Sequence, residues 1–313
     1  MKIDKNLLLV LGLAVSVSAC SKDHTDEDHH HENEQAAASG PAADPEVEIV
    51  SELVAGPIYM ITGQGGNLGV SIGEDGTLLI DDQFANLAEG IQAEITKLGG
   101  SEPDFLINTH WHFDHTGGNA HFGQHAIIVA QDNVRVRLAK GGEIRAFNTT
   151  IPPAEPQALP TITYPEAMNL HWNGEEIQLI HFPSAHTDGD SVVYFKGSNV
   201  VHMGDLFFQG MFPFIDINSG GGVEGMINGV NTVLEMIDDN TKVIPGHGPL
   251  ATKADLAAYR DMLVTITDRL SALKAQGASE EEMLAAQPAK EYKHLEGLFP
   301  TDRWLQSMWK FYE

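Results

Sequence analysis

Three histidines and one aspartate fall within six residues of this chain, in the run Asn108-Thr109-His110-Trp111-His112-Phe113-Asp114-His115-Thr116-Gly117-Gly118-Asn119. Imidazoles and a carboxylate are donors that hold divalent metal ions. Phe105-Leu106-Ile107, just upstream, is a short apolar run that reads as a buried strand, and Gly117-Gly118 turns the chain downstream. The imidazoles therefore sit at the end of a strand, where a sheet can aim them. His110 and His112 are two residues apart, so extended backbone points them to the same side and lets them share one ion. Asp114 and His115 follow as the chain turns and can face a neighbouring position. Imidazole nitrogen with carboxylate oxygen suits zinc, and the ligand types alone also admit iron or manganese. The bland alternative is a set of surface histidines, and this spacing behind a buried strand argues against it.

The run resembles the metal-binding motif of the metallo-β-lactamase superfamily of binuclear metallohydrolases. The family pattern continues with a histidine, an aspartate and a last histidine. This chain supplies Ser184-Ala185-His186-Thr187-Asp188-Gly189-Asp190, then His202-Met203-Gly204-Asp205, then Pro245-Gly246-His247-Gly248. All seven positions match in order, and the resemblance covers Val47 to the C-terminal helices. It implies an α/β fold, the αβ/βα sandwich of two mixed sheets flanked by helices. It implies two Zn²⁺ ions per chain, one on His110, His112 and His186, the other on Asp114, His115 and His247, with Asp205 bridging. Zinc lowers the pKa of bound water to about 7, so hydroxide is available to attack a carbonyl or phosphoryl centre. Asp114 is then the catalytic residue that orients the nucleophile and relays its proton. His121, His125, His171, His181, His202 and His294 have no place in the pattern and are expected to be structural or exposed. Family members often carry an aspartate at the end of the third strand. Asp81 stands there, either accepting a ligand histidine's free N–H or simply capping the strand.

The resemblance narrows the chemistry further than the substrate. The leading expectation is a zinc-dependent hydrolase that opens a cyclic amide or ester, with β-lactam hydrolysis the first candidate. The better-known β-lactamase subclasses have cysteine or serine where this chain has Asp205, and a bridging aspartate resembles glyoxalase II-like thioesterases and lactonases instead. Iron oxygenases of the family tend to lack part of the second-metal set, which is complete here. A periplasmic zinc-binding lipoprotein is the non-enzyme alternative. Two zinc ions against Asp114, Asp205 and hydroxide leave a net positive centre, which would draw a small substrate with a carboxylate.

Bulk composition bounds the partners. Eighteen Lys and Arg stand against 44 Asp and Glu, a formal charge of −26, which argues against nucleic acid and against binding anionic lipid by charge. The one cysteine, Cys20, excludes an intramolecular disulfide. Residues 1–19 have Lys2, Lys5 and the apolar run Leu7 to Val17, the length of a signal-peptide core and too short to span a bilayer. Val17-Ser18-Ala19-Cys20 resembles a bacterial lipoprotein processing site, which implies lipid on Cys20. Ser21 after it implies the periplasmic face of the outer membrane. Ordinary cleavage nearby is the alternative. Residues 20–46, with Asp23-His24-Thr25-Asp26-Glu27-Asp28-His29-His30-His31-Glu32, lack apolar periodicity and are expected to be a disordered acidic, His-rich tether, or else a metal-gathering arm.

Residues 47–313 carry the pattern of one domain. Strands are expected at 57–62 and 67–72, with Gly63-Gln64-Gly65-Gly66 a flexible tip between them, and at 77–81; by the family resemblance such a tip can lie over the site as a flap. A helix is expected over 86–98, ended by Gly99-Gly100. A strand at 126–130 and a helix at 132–140 follow. Five prolines between Ile151 and Pro165 predict an extended connection without regular helix. Residues 170–182 predict a hairpin about Gly174, 191–195 and 199–202 another strand pair, and 242–247 a last strand. Helices are expected after Gly222 to about Ile237 and over 256–273, 280–286 and 303–311. The aromatic run from Phe207 to Asp216 is expected either to wall an apolar pocket or to pack in the core. Trp304, Leu305, Met308 and Trp309 have the spacing of a helix face packed on the domain.

Overall fold

In the computed structural model, which describes residues 47–312, the strands sort into two sheets packed face to face. The expected signal peptide, the lipid-bearing Cys20 and the His-rich tether lie outside the described residues. The first sheet opens as an antiparallel meander of β1 (Val50–Ala55), β2 (Ile58–Thr62), β3 (Leu68–Gly73) and β4 (Gly76–Ile80). The helix α1 (Ala88–Lys97) crosses over so that β5 (Phe105–Asn108) lies parallel to β4. The single turns α2 (Phe113–Thr116) and α3 (Asn119–Phe122) lead to β6 (Ile127–Gln131), parallel to β5. After α4 (Asp132–Lys140) comes a small hairpin, β7 (Gly142–Ile144) and β8 (Thr149–Ile151), and then the edge strand β9 (Ile162–Tyr164), parallel to β6.

The second sheet repeats the plan. The strands β10 (Ala167–Trp172), β11 (Glu175–Phe182), β12 (Asp190–Phe195) and β13 (Val200–His202) run antiparallel in order. The helix α5 (Val223–Met236) crosses to β14 (Lys242–Ile244), parallel to β13, and β15 (Ala251–Thr252) closes the sheet. The chain ends in α6 (Lys253–Ala275), α7 (Glu280–Ala286) and α8 (Thr301–Trp309).

Alternation along the strands explains the layers. Ile80 and Ile107 point between the sheets and meet Leu179, Val193 and Phe195, while their neighbours Leu79 and Leu106 point outward onto Ile91 and Ile95 of α1. Val192 and Val201 face the other way, toward α5, α6 and α8. A strand buried on both faces needs an apolar residue at every position, which is why Phe105-Leu106-Ile107 carries no polar interruption. Each fully buried aliphatic side chain contributes about 1.5–3 kcal/mol relative to exposure. Trp304, Leu305, Met308 and Trp309 are all buried against this outer layer, the packing that their spacing predicts. The turn at Asn173-Gly174 has positive φ at both residues, as a two-residue hairpin demands.

Several features depart from the sequence expectation. The strand β1, the hairpin β7–β8 and the short strand β15 are not expected from the sequence. The proline-rich segment 151–165 is not simply extended: it holds a turn of 3-10 helix at Pro156–Ala158, and its end joins the first sheet as β9. A parallel edge strand pairs through one side only, so neighbouring prolines do not forbid it. The 63–66 tip is anchored at its end, where Gly66 N donates to Asp114 O at 3.0 Å and Gln83 Nε2 donates to Gly66 O at 2.7 Å, while Gly63 and Gln64 are exposed.

The topology places the chemistry. Parallel strands deliver their C-terminal ends to one edge. Asp81 leaves β4 and His110 leaves β5 at that edge, and Asp205 leaves β13 and His247 leaves β14 at the matching edge of the second sheet. His186 lies in the turn from β11 to β12 on the same side. Ile95→Ala, in the layer far from that edge, is expected to lower the unfolding free energy by about 2–5 kcal/mol without changing metal content. Urea denaturation and elemental analysis of the same preparation check both halves.

Candidate metal centre

The structure brings all seven side chains to one place. His110, His112, His186 and Asp205 form one group and Asp114, His115 and His247 a second, the donor atoms within each lying within 4.8 Å of one another. Asp205 stands between them. Its Oδ2 is 3.3 Å from His186 Nε2 and 3.7 Å from His110 Nε2, while its Oδ1 is 3.2 Å from His115 Nε2 and 3.4 Å from His247 Nε2. Asp114 Oδ2 is 3.4 Å from His247 Nε2 and 3.7 Å from His115 Nε2. A tetrahedral zinc with bonds of about 2.0–2.1 Å has ligand-to-ligand edges of about 3.4 Å, and these separations bracket that length. His112 Nδ1 and His186 Nε2 are closer, at 2.8 Å.

Protons are directed outward, away from the centre, by partners behind each ring. His115 Nδ1 donates to Asp81 Oδ2 at 2.8 Å. His110 Nδ1 donates to Thr109 Oγ1 at 3.0 Å, and that hydroxyl in turn donates to Asp81 Oδ2 at 2.7 Å. His186 Nδ1 donates to Phe214 O at 2.7 Å, and His112 Nε2 to Asp216 Oδ2 at 3.1 Å. These four rings therefore turn lone pairs inward, where carboxylate oxygens already converge. His110 Nε2 and Asp205 Oδ1 are buried and have no hydrogen-bond partner. An unmatched buried polar atom costs about 1–3 kcal/mol, and cations among these lone pairs remove that cost. The residues thus fit a binuclear metal site.

Electrostatics agree with the geometry. Burial holds His110 well below the usual imidazole pKa and takes His186 down to about 4, so both stay neutral ligands. Burial also opposes charge on His115 and His247, but Asp205 and Asp114 beside them carry His115 well up and His247 to about 9. Burial would raise Asp114 and Asp205, yet the surrounding imidazoles hold Asp114 at about 2 and Asp205 well below the carboxylate range. The site thus keeps two negative charges and gathers positive charge onto its second group.

Asp81 is the strand-end aspartate singled out by sequence, and it reaches both groups. It sits at φ +58° just past β4, with Oδ1 accepting from Thr109 N at 2.7 Å and Oδ2 serving Thr109 and His115. Sequence reasoning missed Thr109 and Asp216. Asp216 also accepts from Ser219 Oγ at 2.6 Å, and that hydroxyl accepts from Trp111 Nε1 at 3.1 Å. Asp216 ends an aromatic run that belongs to no metal-binding motif, so its sequence neighbours gave no signal. The remaining histidines stand apart. His202 is buried and holds Asn67 O, whose amide grips Pro245 O and Gly248 O beneath the His247 loop. His181 donates to Asp190 O, and His125 is exposed beside Glu102. Neither joins the centre.

The aromatic run serves both of the roles expected of it. Phe207 and Phe212 are fully buried in the core, while Phe208, Met211 and Phe214 line a cavity of about 260 Å³ above the metal groups. Gln64, Phe84, Phe113, Ile144, Phe147 and Leu298 complete the walls, and His112, Asp114, Asp205 and His247 form the polar patch. Phe208 stacks on the His247 ring with centroids 5.1 Å apart.

The model of the metallo-beta-lactamase superfamily matches residues 62–248, and the chain belongs to that superfamily. Its fold and its binuclear site are those of a metallo-hydrolase. An acyl-coenzyme A thioesterase, MBLAC2, of Gallus gallus is 25% identical over 166 residues, which are 47% of this chain and 57% of that protein. The chain thus spans little more than half of that relative. A probable metallo-hydrolase, YqgX, of Bacillus subtilis is 27% identical over 188 residues, 55% of this chain and 83% of that one. Among solved structures, a metallo-beta-lactamase from Pontibacter korlensis superposes with a TM-score of 0.56 at 17% identity, covering 69% of this chain and 99% of the other. That likeness concerns the fold.

Two substitutions test the site. Asp81→Asn removes the acceptor behind two ligand rings and is expected to weaken metal binding about 10–100-fold, read by competition against a chromophoric chelator. A Cβ on Gly66 would lie 2.1 Å from His115 Cε1. Gly66→Ala is therefore expected to displace that ring and cost about one metal equivalent per chain by elemental analysis, with unchanged far-UV circular dichroism.

Proposed function

We propose that the protein is a dinuclear zinc hydrolase that adds water to the carbonyl of an ester, thioester or lactone whose acyl part is apolar. One observation carries the reading: the two oxygens of Asp205 face separate imidazole groups at the floor of an aromatic cavity. Two divalent cations bound there supply Lewis acidity and an ionised water at neutral pH. Asp114 lies at the cavity wall with 23% of its side chain exposed and is ionised at pH 7. Its free oxygen can accept a proton from the attacking water. Phe84, Phe113, Phe147 and Phe214 exclude bulk water and take up an apolar acyl chain. No serine or cysteine nucleophile lines the cavity.

The absence of any Lys or Arg from these walls favours an apolar acyl group over one gripped by its carboxylate. Similarity to an acyl-coenzyme A thioesterase supports the same choice. β-Lactam hydrolysis is the second reading. It is favoured by the ligand charge: two carboxylates and five imidazoles leave two bound dications a net positive charge that a substrate carboxylate would meet directly.

The experiment is a substrate panel on metal-analysed protein: aliphatic thioesters, esters and lactones of increasing acyl length beside a penicillin, a cephalosporin and a carbapenem. Turnover of the first group, with kcat/KM rising with acyl length, is the expected result. Asp114→Asn is expected to lower kcat by at least about 100-fold. Turnover confined to the lactams would exchange the two readings. A fully metal-loaded protein that hydrolyses nothing would leave the zinc-binding alternative, and iron in place of zinc would correct the metal.

A further inference from the structure

Beside the catalytic cavity runs a larger groove of about 720 Å³. Phe214 belongs to the walls of both. Phe147, on the cavity side, meets Phe214 edge-on at 5.0 Å and stacks at 5.8 Å on Phe299, on the groove side. Three phenylalanines thus form a ridge between the two spaces, and Phe147 reaches solvent with 37% of its surface.

The groove has the opposite charge to the rest of the molecule. In a chain of formal charge −26, Arg145, Arg303 and Lys310 all line it. Its two carboxylates, Asp216 and Glu280, already accept hydrogen bonds from protein side chains. Asp216 is buried and serves His112 and Ser219, and Glu280 accepts from Gln306 Nε2 at 2.6 Å. Among the described residues neither Arg303 nor Lys310 has a carboxylate within ion-pair distance, and Arg145 has only Glu143 at 3.7 Å, both side chains well exposed. Such a contact contributes little.

The cations are also placed in order. Arg303, Gln306 and Lys310 follow one face of α8 and its C-terminal cap at three- and seven-residue spacing, opposite the buried Trp304 and Met308. Arg303 Nη2 donates to Ala146 O at 2.8 Å, and its guanidinium lies 5.3 Å from the centre of the Phe299 ring. This one contact holds a guanidinium at the ridge, next to Arg145. A purely structural role accounts for Arg303 but not for Lys310, which has no side-chain partner among the described residues, nor for Arg145 beyond its exposed contact with Glu143.

We infer that the groove binds an oxyanion carried by the substrate, so that the substrate is an amphiphile. Its apolar acyl group fills the aromatic cavity, its scissile carbonyl lies over Asp114 and Asp205, and its phosphate, carboxylate or sulfate crosses the ridge to Arg145, Arg303 and Lys310. The inference rests on the hydrolase reading for its chemistry and adds the class of substrate. It also separates the anion site from the metal centre, where the sequence alone had placed it.

Two measurements on the full chain test it. The first compares decanoyl thioesters whose thiol part is neutral or carries a phosphate, carboxylate or sulfonate. KM for the preferred anionic ester is expected to lie about tenfold below that of the neutral one, and the advantage to shrink as salt rises. In Arg145→Gln/Lys310→Gln the ratio of the two KM values is expected to fall toward one, and in Arg145→Lys to be largely kept. The second measures calorimetric binding of decyl phosphate, decyl sulfate, decanoate and decanol to wild type and to the double variant. Equal KM values in the wild type, or a ratio untouched by the double variant, overturns the inference while leaving the hydrolase reading in place. Binding of decyl phosphate or sulfate that needs Arg145 and Lys310, without hydrolysis of any ester, supports the groove and removes the ester and thioester reading. Absence of both ester hydrolysis and Arg145- and Lys310-dependent binding removes both.

Discussion

The structure depends on a set of lone pairs that repel one another until something positive lies between them. His110, His112, His115 and His186 each spend their one ring proton on a partner behind them, leaving bare nitrogens against Asp205. Folding brings these groups out of water, and burial strengthens their mutual repulsion. The elevated pKa of His247 and His115 is the proton's answer to that demand; a bound cation is the other. Everything outside the centre can be understood as holding these nitrogens still. Asp81 and Thr109 do so from the first sheet, Asp216 and the Phe214 carbonyl from the loop after Asp205.

Legibility in the sequence followed the range of the interactions. The run from His110 to His115 could be recognised because its spacing and the strand before it are contiguous. Both sheets could be anticipated because their buried strands carry apolar runs, such as Phe105-Leu106-Ile107 in β5 and Val192-Val193-Tyr194-Phe195 in β12. The short strands β7, β8 and β9 could not, since three residues show no periodicity and β9 exists only because β6 offers it a ladder. Asp216 was invisible for a related reason. Its role is made by His112, 104 residues away, and nothing in the neighbouring aromatic run announces it. Asp81 was read with a cap as its alternative, and the bonds to Thr109 N and to His115 show that one carboxylate does both jobs.

The two spaces beside the centre differ in physical type. Aromatic rings around the cavity supply apolar area and keep water out, and they carry no formal charge. The cations of the neighbouring groove stand outside the ridge, where they remain hydrated and impose no desolvation cost on the reacting atoms. An acidic surface around both disfavours association with other polyanions, so the groove is a local exception and not an extension of a basic face.

Each metal group draws on both sheets. His110 and His112 come from the first sheet and His186 and Asp205 from the second, while Asp114 and His115 from the first meet His247 from the second. His115 and His247 are 132 residues apart. On a ribosome, therefore, the N-terminal donors emerge long before their counterparts, and neither cluster can close until the second sheet has been made. A complete set of donors therefore requires that the two halves have docked in register, and a truncated or misdocked chain is expected to hold metal weakly.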